Sequence, residues 1–332
     1  MSVRGGAARA VAAALSVAAA LLAAPAVSSA ETPGTPGDPE RGEGTATTLR
    51  PVVHAVAAPR DGLIFQQGPY LVAWRPGSHR APYRLARASA QASELLDAVA
   101  ASNGRVYWLT WGPKGYRGPV DVDSADMATH RVRVTVRHAD TFQYLTANSS
   151  HLFWIDGTHL SRSTLFGHNV LHRYLRLPKE NEYDVADGLA VDTRYVYVSQ
   201  CGNGRIGRVA LSQYGDHPHI DWVVRGLGDS CPQSIAVGGG WIFWAGGTKG
   251  WYGTIGRARL DGTRVDPGWV KVSRSLWNSP YAVTVLGGHV YWLWGDEDDT
   301  QRSWLGGVSV GGSGLDERMR RVDNGALTSY VR

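Results

Sequence analysis

The sequence predicts an all-β fold, a six-bladed β-propeller with four antiparallel strands in each blade. Three observations predict it: a short aromatic phrase recurs, each copy has the same order of apolar segments and turns, and the composition suits short strands joined by tight turns. The 332 residues include 41 Gly and 13 Trp but only 3 Met and 5 Phe. A seven-bladed ring stays open, because the two terminal segments could together build another blade.

Each copy of the recurring phrase contains one anchor residue, which is aromatic in all copies but one. Successive anchors are separated by 34, 46, 44, 46 and 48 residues, and they are Trp74, Trp108, Trp154, Val198, Trp244 and Trp292. A period in the forties is typical of architectures that repeat one supersecondary unit. The spacing therefore predicts six units.

Four short segments make up each unit. An apolar strand such as DGLAV (187–191) comes first, and the aromatic strand follows after a turn. A third strand, such as IGRARL (255–260), follows a loop of variable length, and a more polar fourth strand, such as RVRVTVRH (131–138), ends the unit. Residues 88–102 contain good helix formers, but the repeat requires a strand before Trp108, so we expect a strand at about 97–101.

The two ends of the chain are predicted to close the ring. The segments VVHAVAA (52–58) and NGALTSYVR (324–332) are both candidates. A terminal strand paired into the blade at the other end of the chain would remove the exposed sheet edges of an open ring.

Two segments resemble the YWTD repeats of low-density-lipoprotein-receptor-type (class B-like) propellers, here in a secreted, bacterial-style chain. They are DGLAVDTRYVYVSQ (187–200) and IGRARLDGT (255–263). The resemblance extends over roughly residues 60–322. It implies a six-bladed propeller that binds a protein, or less readily a glycan, without catalysis.

The N-terminal region has the features of a secretory signal peptide. Arg4 and Arg9 precede an uncharged apolar run, and small residues at 28–30 predict cleavage after Ala30, with a retained anchor as the alternative. Residues 31–50 are rich in Pro, Gly and Thr and predict a flexible linker, so 51–332 would form a single propeller domain. We expect an extracellular monomer without a membrane span. The formal charge of +5 does not call for a nucleic-acid partner.

The two cysteines are predicted to form a disulfide bond. Cys201 follows the second strand of the fourth unit, and Cys231 precedes the first strand of the fifth. In a propeller these two loops lie on the same face of neighbouring blades, and an exported chain with two cysteines favours pairing. The alternative is a free reactive thiol.

Polar residues at the start of the innermost strands predict a binding site at the mouth of the central channel. In five units these residues are Asp97, Gln143, Asp187, Gln233 and Tyr281, while the first unit has Leu63. Carboxylates, amides and a phenol together suit a polar ligand or a divalent cation such as calcium; otherwise no cofactor is expected. The alternative is that these side chains bond to neighbouring blades and lock the ring.

Aromatic residues near the loops between the second and third strands predict a second contact surface on the same face. They are Tyr116, Trp251, Tyr252 and Trp304, and they could anchor a protein or stack on sugars. The alternative is that they fold over the blade beneath. The function predicted is a non-catalytic binding module for an extracellular protein or glycan; the alternative is a propeller hydrolase or lyase with a metal at the channel mouth.

Overall fold

The computed structural model describes most of the chain from Asp61 to Val331. The described residues are 61–87, 98–111, 120–139, 142–177, 186–228, 230–248, 251–273, 279–295, 302–323 and 327–331. Within these ranges the regular structure is entirely β, and none of it is a helix that could cross a membrane.

In the described part of the chain, twenty-four strands form six four-stranded antiparallel sheets, which are the blades. Blade 1 contains β1 (Asp61–Gln67), β2 (Tyr70–Trp74), β3 (Tyr83–Arg87) and the C-terminal β24 (Leu327–Val331). Blade 2 contains β4 (Val99–Ser102), β5 (Arg105–Trp111), β6 (Val120–Asp126) and β7 (Val132–Ala139). Blade 3 contains β8 (Phe142–Ala147), β9 (His151–Asp156), β10 (His159–Thr164) and β11 (Leu171–Arg176).

The second half of the ring repeats this order. Blade 4 contains β12 (Gly188–Val191), β13 (Tyr195–Gln200), β14 (Arg205–Ala210) and β15 (Asp221–Val224). Blade 5 contains β16 (Ser234–Gly238), β17 (Trp241–Thr248), β18 (Trp251–Arg259) and β19 (Asp266–Ser273). Blade 6 contains β20 (Pro280–Leu286), β21 (His289–Gly295), β22 (Arg302–Ser309) and β23 (Asp316–Asp323). The predicted six-bladed β-propeller is confirmed.

The C-terminal strand closes the ring, as predicted for segment 324–332. β24 pairs antiparallel with β1 and is the innermost strand of blade 1. It contacts the innermost strands of both neighbouring blades, β4 and β20. The other candidate, 52–58, lies outside the described residues.

This closure corrects the anchor predicted for the first unit. Phe65 pairs with Leu327 just as Trp108 pairs with Val99, so Phe65 is the anchor, and Leu63 lies on the second strand rather than the innermost one. Trp74 ends the third strand. The interval from anchor 65 to anchor 108 is 43 residues rather than 34. The error arose because the innermost strand of blade 1 comes from the other end of the chain.

The anchor tryptophans explain the glycines of the third strands. Trp244 is fully buried and pairs across the sheet with Gly256, and Trp292 stands in the same way opposite Gly306. A Cβ at either glycine would overlap the indole ring opposite it. The absence of a side chain therefore lets the indole lie flat on the neighbouring strand, which fills the blade core without a void.

Three arginines join consecutive blades at equivalent third-strand positions. Nη1 of each donates to a backbone carbonyl of the next blade: Arg162 to Leu211 at 3.5 Å, Arg208 to Leu260 at 2.8 Å, and Arg257 to Val310 at 2.8 Å. Each guanidinium also lies over an aromatic ring of its own blade, 4.5–4.7 Å from the centroid. These contacts tie blades 3 to 4, 4 to 5 and 5 to 6.

Candidate functional site: the channel and its mouth

The six innermost strands surround a central cavity of about 260 Å³. Small residues, mostly Ala, Val and Thr, line it, because six strands converge on one axis and leave little room for larger side chains. None of the described lining residues is Asp, Glu, Lys, Arg or His. Each innermost strand has a strand neighbour on one side only, so its other edge offers backbone N–H and C=O groups. The described wall therefore suits neutral hydrogen-bonding groups.

Asp187 stands at the mouth, directly before β12, and is half-buried. Its Oδ2 accepts a hydrogen bond from the backbone N–H of Cys201 at 2.7 Å. Burial raises the pKa of the Asp187 carboxyl, and the bond from Cys201 opposes that rise. The carboxyl is thus fixed to the turn that follows β13 and is easier to protonate than an exposed aspartate.

The disulfide bond predicted between Cys201 and Cys231 is confirmed, with the two Cα atoms 4.2 Å apart. It joins the turn after β13 to the segment before β16, and thereby ties blade 4 to blade 5 at the mouth. Both cysteines are paired, so the alternative of a free thiol was wrong. One of the two bonded cysteines, Cys201, also donates its backbone N–H to the Asp187 carboxyl.

Gln233 is exposed directly before β16, and its backbone N–H donates to the carbonyl of Ala245 at 3.0 Å. Its own carbonyl oxygen would lie 3.1 Å from a Cβ at Gly188. Only glycine lets the two innermost strands approach this closely. The Ser199 hydroxyl borders the same position; it is buried and has no hydrogen-bond partner among the residues that the structure describes. The sequence had not indicated Ser199.

Two tyrosines on one-residue β-bulges line the cavity from opposite blades. Tyr281 is the extra residue between Pro280 and Ala282 in blade 6, and its hydroxyl is 2.7 Å from Ser303 Oγ. Tyr144 is the extra residue of β8 in blade 3, with φ of 54°, a left-handed conformation that is rare for a bulky side chain. Bulges often redirect side chains next to binding sites.

Tyr144 was missed by the sequence analysis, although a signal existed. The other units have small residues at its position: Ala98, Gly188, Ser234 and Ala282. A tyrosine in such a column indicates a local change of backbone register. The remaining predicted mouth residues give less: Asp97 lies outside the described residues, and of Gln143 only the backbone is described, paired with Ile155.

The predicted loop surface is only partly described. Tyr116 lies outside the described residues, and Trp251 and Tyr252 are placed by their backbone in β18 rather than in a loop. Trp304 lies within β22, half-buried and opposite Trp294, with the Arg318 guanidinium 5.5 Å from both ring centroids. The structure therefore places Trp304 in the sheet of blade 6. Its predicted role in binding stays a prediction.

Three oxygen-bearing groups that could bind a metal ion lie near one another at the mouth. The described residues contain no larger cluster of metal ligands. Across the described ranges there is no group of three or more His, Cys, Asp or Glu that could hold a metal ion. The donors near Gly188 are the Asp187 carboxyl, the Ser199 hydroxyl and the Gln233 carbonyl. Calcium accepts such mixed oxygen ligands, although it prefers six to eight of them, so calcium at the mouth stays a prediction.

Comparisons with known proteins identify the fold. No protein-family description matches the chain, and no curated protein matches it. Among solved structures, a chain from the crystal structure of a nidogen/laminin complex is similar with a TM-score of 0.56 and 13% identity, over 81% of this chain and 98% of that one. TolB from Acinetobacter baumannii is similar with a TM-score of 0.53 and 11% identity, over 81% of this chain and 66% of that one. The sheet topology and these similarities together show that the fold is a six-bladed β-propeller.

Proposed function

We propose that this protein is an exported, non-catalytic β-propeller that binds an extracellular protein or glycan at the mouth of its channel. The observation that carries the proposal is the composition of that mouth. Two bulged tyrosines and an exposed amide line a cavity whose described walls are uncharged, and the half-buried Asp187 directly precedes the lining residue Gly188. Such a set offers stacking surfaces and hydrogen bonds and fixes a polar ligand's orientation.

The rigidity of the mouth supports a binding role. The disulfide bond holds the loops of blades 4 and 5 together, and the Cys201 N–H holds the Asp187 carboxyl. A preformed site loses little conformational entropy when it binds, so more of the contact energy contributes to affinity. The fold is shared with a chain crystallised in a nidogen/laminin complex, so a propeller of this kind is compatible with a protein ligand.

Asp187 is the observation that favours the second candidate, a hydrolase or lyase. Burial raises the pKa of the Asp187 carboxyl, one residue before the cavity-lining Gly188, and such a carboxyl is suited to donate a proton as a general acid. Turnover of a glycan or ester by the wild type, lost in Asp187→Asn, would establish this candidate in place of the binding module.

Binding to panels of glycans and of extracellular proteins, measured for the wild type and for variants, tests the proposal. Tyr281→Ala and Asp187→Asn change the mouth, while Tyr214→Ala is the matched control, because Tyr214 is 83% exposed in the turn after β14, remote from the mouth. We expect both mouth variants to weaken binding at least about tenfold and the control to leave it unchanged. Equal binding by all four proteins, each with an unchanged melting temperature, would contradict the proposal.

A further inference from the structure

Two innermost strands on opposite sides of the channel carry a β-bulge, and the bulged residue of each is a tyrosine. The register shifts at Tyr144 in β8 and at Tyr281 in β20, whereas the same strand pair has no shift in blades 1, 2, 4 and 5. The innermost strands contact one another in the order β4, β8, β12, β16, β20 and β24, so β8 and β20 lie across the channel from each other. Among the described residues, these two tyrosines are the aromatic side chains that line the cavity.

The surroundings of the two tyrosines limit the movement of their rings. The Tyr281 hydroxyl lies 2.7 Å from Oγ of Ser303, which is fully buried. Tyr144 packs against the core shared by blades 3 and 4, and Tyr281 packs against the core shared by blades 1 and 6. Both side chains are half-buried, so part of each stays accessible. Rings that are already held in place lose little conformational entropy when a ligand binds between them.

Threonines form the layer of the wall that lies one step farther from the mouth. Thr146, Thr284 and Thr328 each directly follow the residue that pairs with the anchor of their blade, and all three line the cavity. A hydroxyl both donates and accepts, so one that already has a bond can make another. This layer therefore offers hydrogen bonds at three points around the channel.

The charge of the wall restricts the ligand further. None of the described lining residues is Asp, Glu, Lys, Arg or His, so a charged group in the cavity would lose its hydration without meeting a counter-ion. The Asp187 carboxylate, one residue before the lining residue Gly188, adds repulsion against an anion. A ligand that fits is therefore neutral, has apolar faces for two rings and carries hydroxyl groups around its edge.

From these features we propose that the channel mouth binds a neutral hexose or N-acetylhexosamine unit of a glycan. The C–H faces of a pyranose ring stack on the two tyrosines, and its hydroxyls bond to the threonines. An aromatic side chain of a protein ligand would match the rings, but it would give the Thr146 and Thr328 hydroxyls no new partner in place of water. This inference rests on the binding function proposed above and narrows its ligand to a neutral glycan.

An array of neutral oligosaccharides tests the class of ligand, and calorimetry gives the Kd of the one that binds most tightly. Hexagalacturonate is the acidic probe, protonated hexaglucosamine is the cationic probe, and N-acetyltyrosinamide is the aromatic probe. We expect a neutral oligosaccharide to bind more tightly than all three probes. Its Kd should agree within about twofold at about 50 and about 300 mM NaCl, because no ion pair forms.

Substitutions in the wall separate ring stacking from simple packing. Tyr144→Leu and Tyr281→Leu keep an apolar side chain but remove the ring, and we expect each to weaken binding at least about tenfold. Tyr144→Phe keeps the ring and should bind within about twofold of wild type. Thr146→Val removes only a hydroxyl and should weaken binding about fivefold. The matched control is Tyr195→Leu, because Tyr195 is also half-buried but begins β13 at the far end of its blade from the mouth.

Four results would overturn the inference. Tighter binding of the acidic or cationic probe, lost in the leucine variants, would assign the mouth to a charged ligand. Binding of N-acetyltyrosinamide that Thr146→Val leaves unchanged would assign it to a protein side chain. Binding of no neutral oligosaccharide would overturn this inference alone if the mouth variants still lose binding of a protein. Equal binding of the neutral oligosaccharide by wild type and all variants would overturn both this inference and the function proposed for the mouth.

Melting temperatures of all variants show whether the fold is retained. Tyr144→Phe and Thr146→Val change the fewest atoms, so they keep the test decisive if a leucine variant does not fold.

Discussion

Removal of the Arg208 side chain is expected to loosen the junction between blades 4 and 5. Its Nε and Nη2 bond to Asp221 Oδ2 at 2.9 and 2.7 Å, and its Nη1 donates to the Leu260 carbonyl at 2.8 Å. The guanidinium also lies 4.7 Å from the Tyr195 ring centroid. One side chain thus connects two strands of its own blade to the turn of the next.

The size of the effect follows from these contacts. The ion pair is partly exposed, at 23% and 49% for the two side chains, so it contributes about 0.5–1 kcal/mol. The charge-assisted bond to the carbonyl contributes about 1.5–2 kcal/mol and the ring contact about 0.5 kcal/mol. Arg208→Ala should therefore lower the free energy of unfolding by about 2.5–3.5 kcal/mol.

Urea unfolding followed by tryptophan fluorescence measures this change. The control is Arg194→Ala, since Arg194 is exposed in the adjacent turn, and we expect it to change stability by less than about 0.5 kcal/mol. Asp221→Asn should cost only about 0.5–1 kcal/mol, because it spares the bond between blades. If Arg208→Ala loses no more stability than either of these variants, the bond from Arg208 to the Leu260 carbonyl does not stabilise the junction between the blades.

Three further predictions concern the core, the disulfide and the mouth. Gly256→Ala should destabilise by about 2–3 kcal/mol because its methyl group overlaps the anchor indole, whereas Gly268→Ala, with space around it, should cost less than about 1 kcal/mol; calorimetry compares them. Replacing Cys201 and Cys231 by serine should cost about 3–4 kcal/mol, because the bond closes a loop with a sequence separation of 30, and chemical denaturation measures the loss. Since burial raises the folded-state pKa of Asp187, its carboxylate opposes folding above that pKa. The stability of wild type relative to Asp187→Asn should fall as pH rises through the interval from the ordinary aspartate pKa to the raised one, as pH-dependent melting would show.

Each of these has a contradicting outcome. Equal stability of the two glycine variants would mean that the core repacks around the added methyl group. An unchanged midpoint in the double serine variant would show that the unfolded chain is not restricted by the bond. Parallel pH profiles for wild type and Asp187→Asn would show that the carboxyl is solvated in the folded protein.

The sequence predicted the blades well because their pattern is local. Each anchor and its turns lie within one unit, so the period alone determines the strand order. The alignment of the first unit with the others was harder to predict, because Phe65 pairs with Leu327 from the opposite end of the chain. The assignment of Trp74 as an anchor failed for that reason.

The mouth was predictable only where topology determined it. Cys201 and Cys231 occupy loops that any propeller brings to one face, so their pairing followed from strand order. The bulge at Tyr144 depends instead on a one-residue change of register, which periodicity does not report. The close approach of β12 to the segment before β16 likewise depends on the missing side chain of Gly188, a packing detail beyond sequence pattern.

Hydrogen exchange with and without a ligand found in the binding screens shows whether the channel mouth is the binding surface. If the ligand binds at the mouth, amides near Asp187, Gln233 and Tyr281 should exchange more slowly when it is bound. Protection confined to the turn around Tyr214 in blade 4 and the turn between β18 and β19 around Val265, with no change at the mouth, would mean that the ligand does not bind at the mouth.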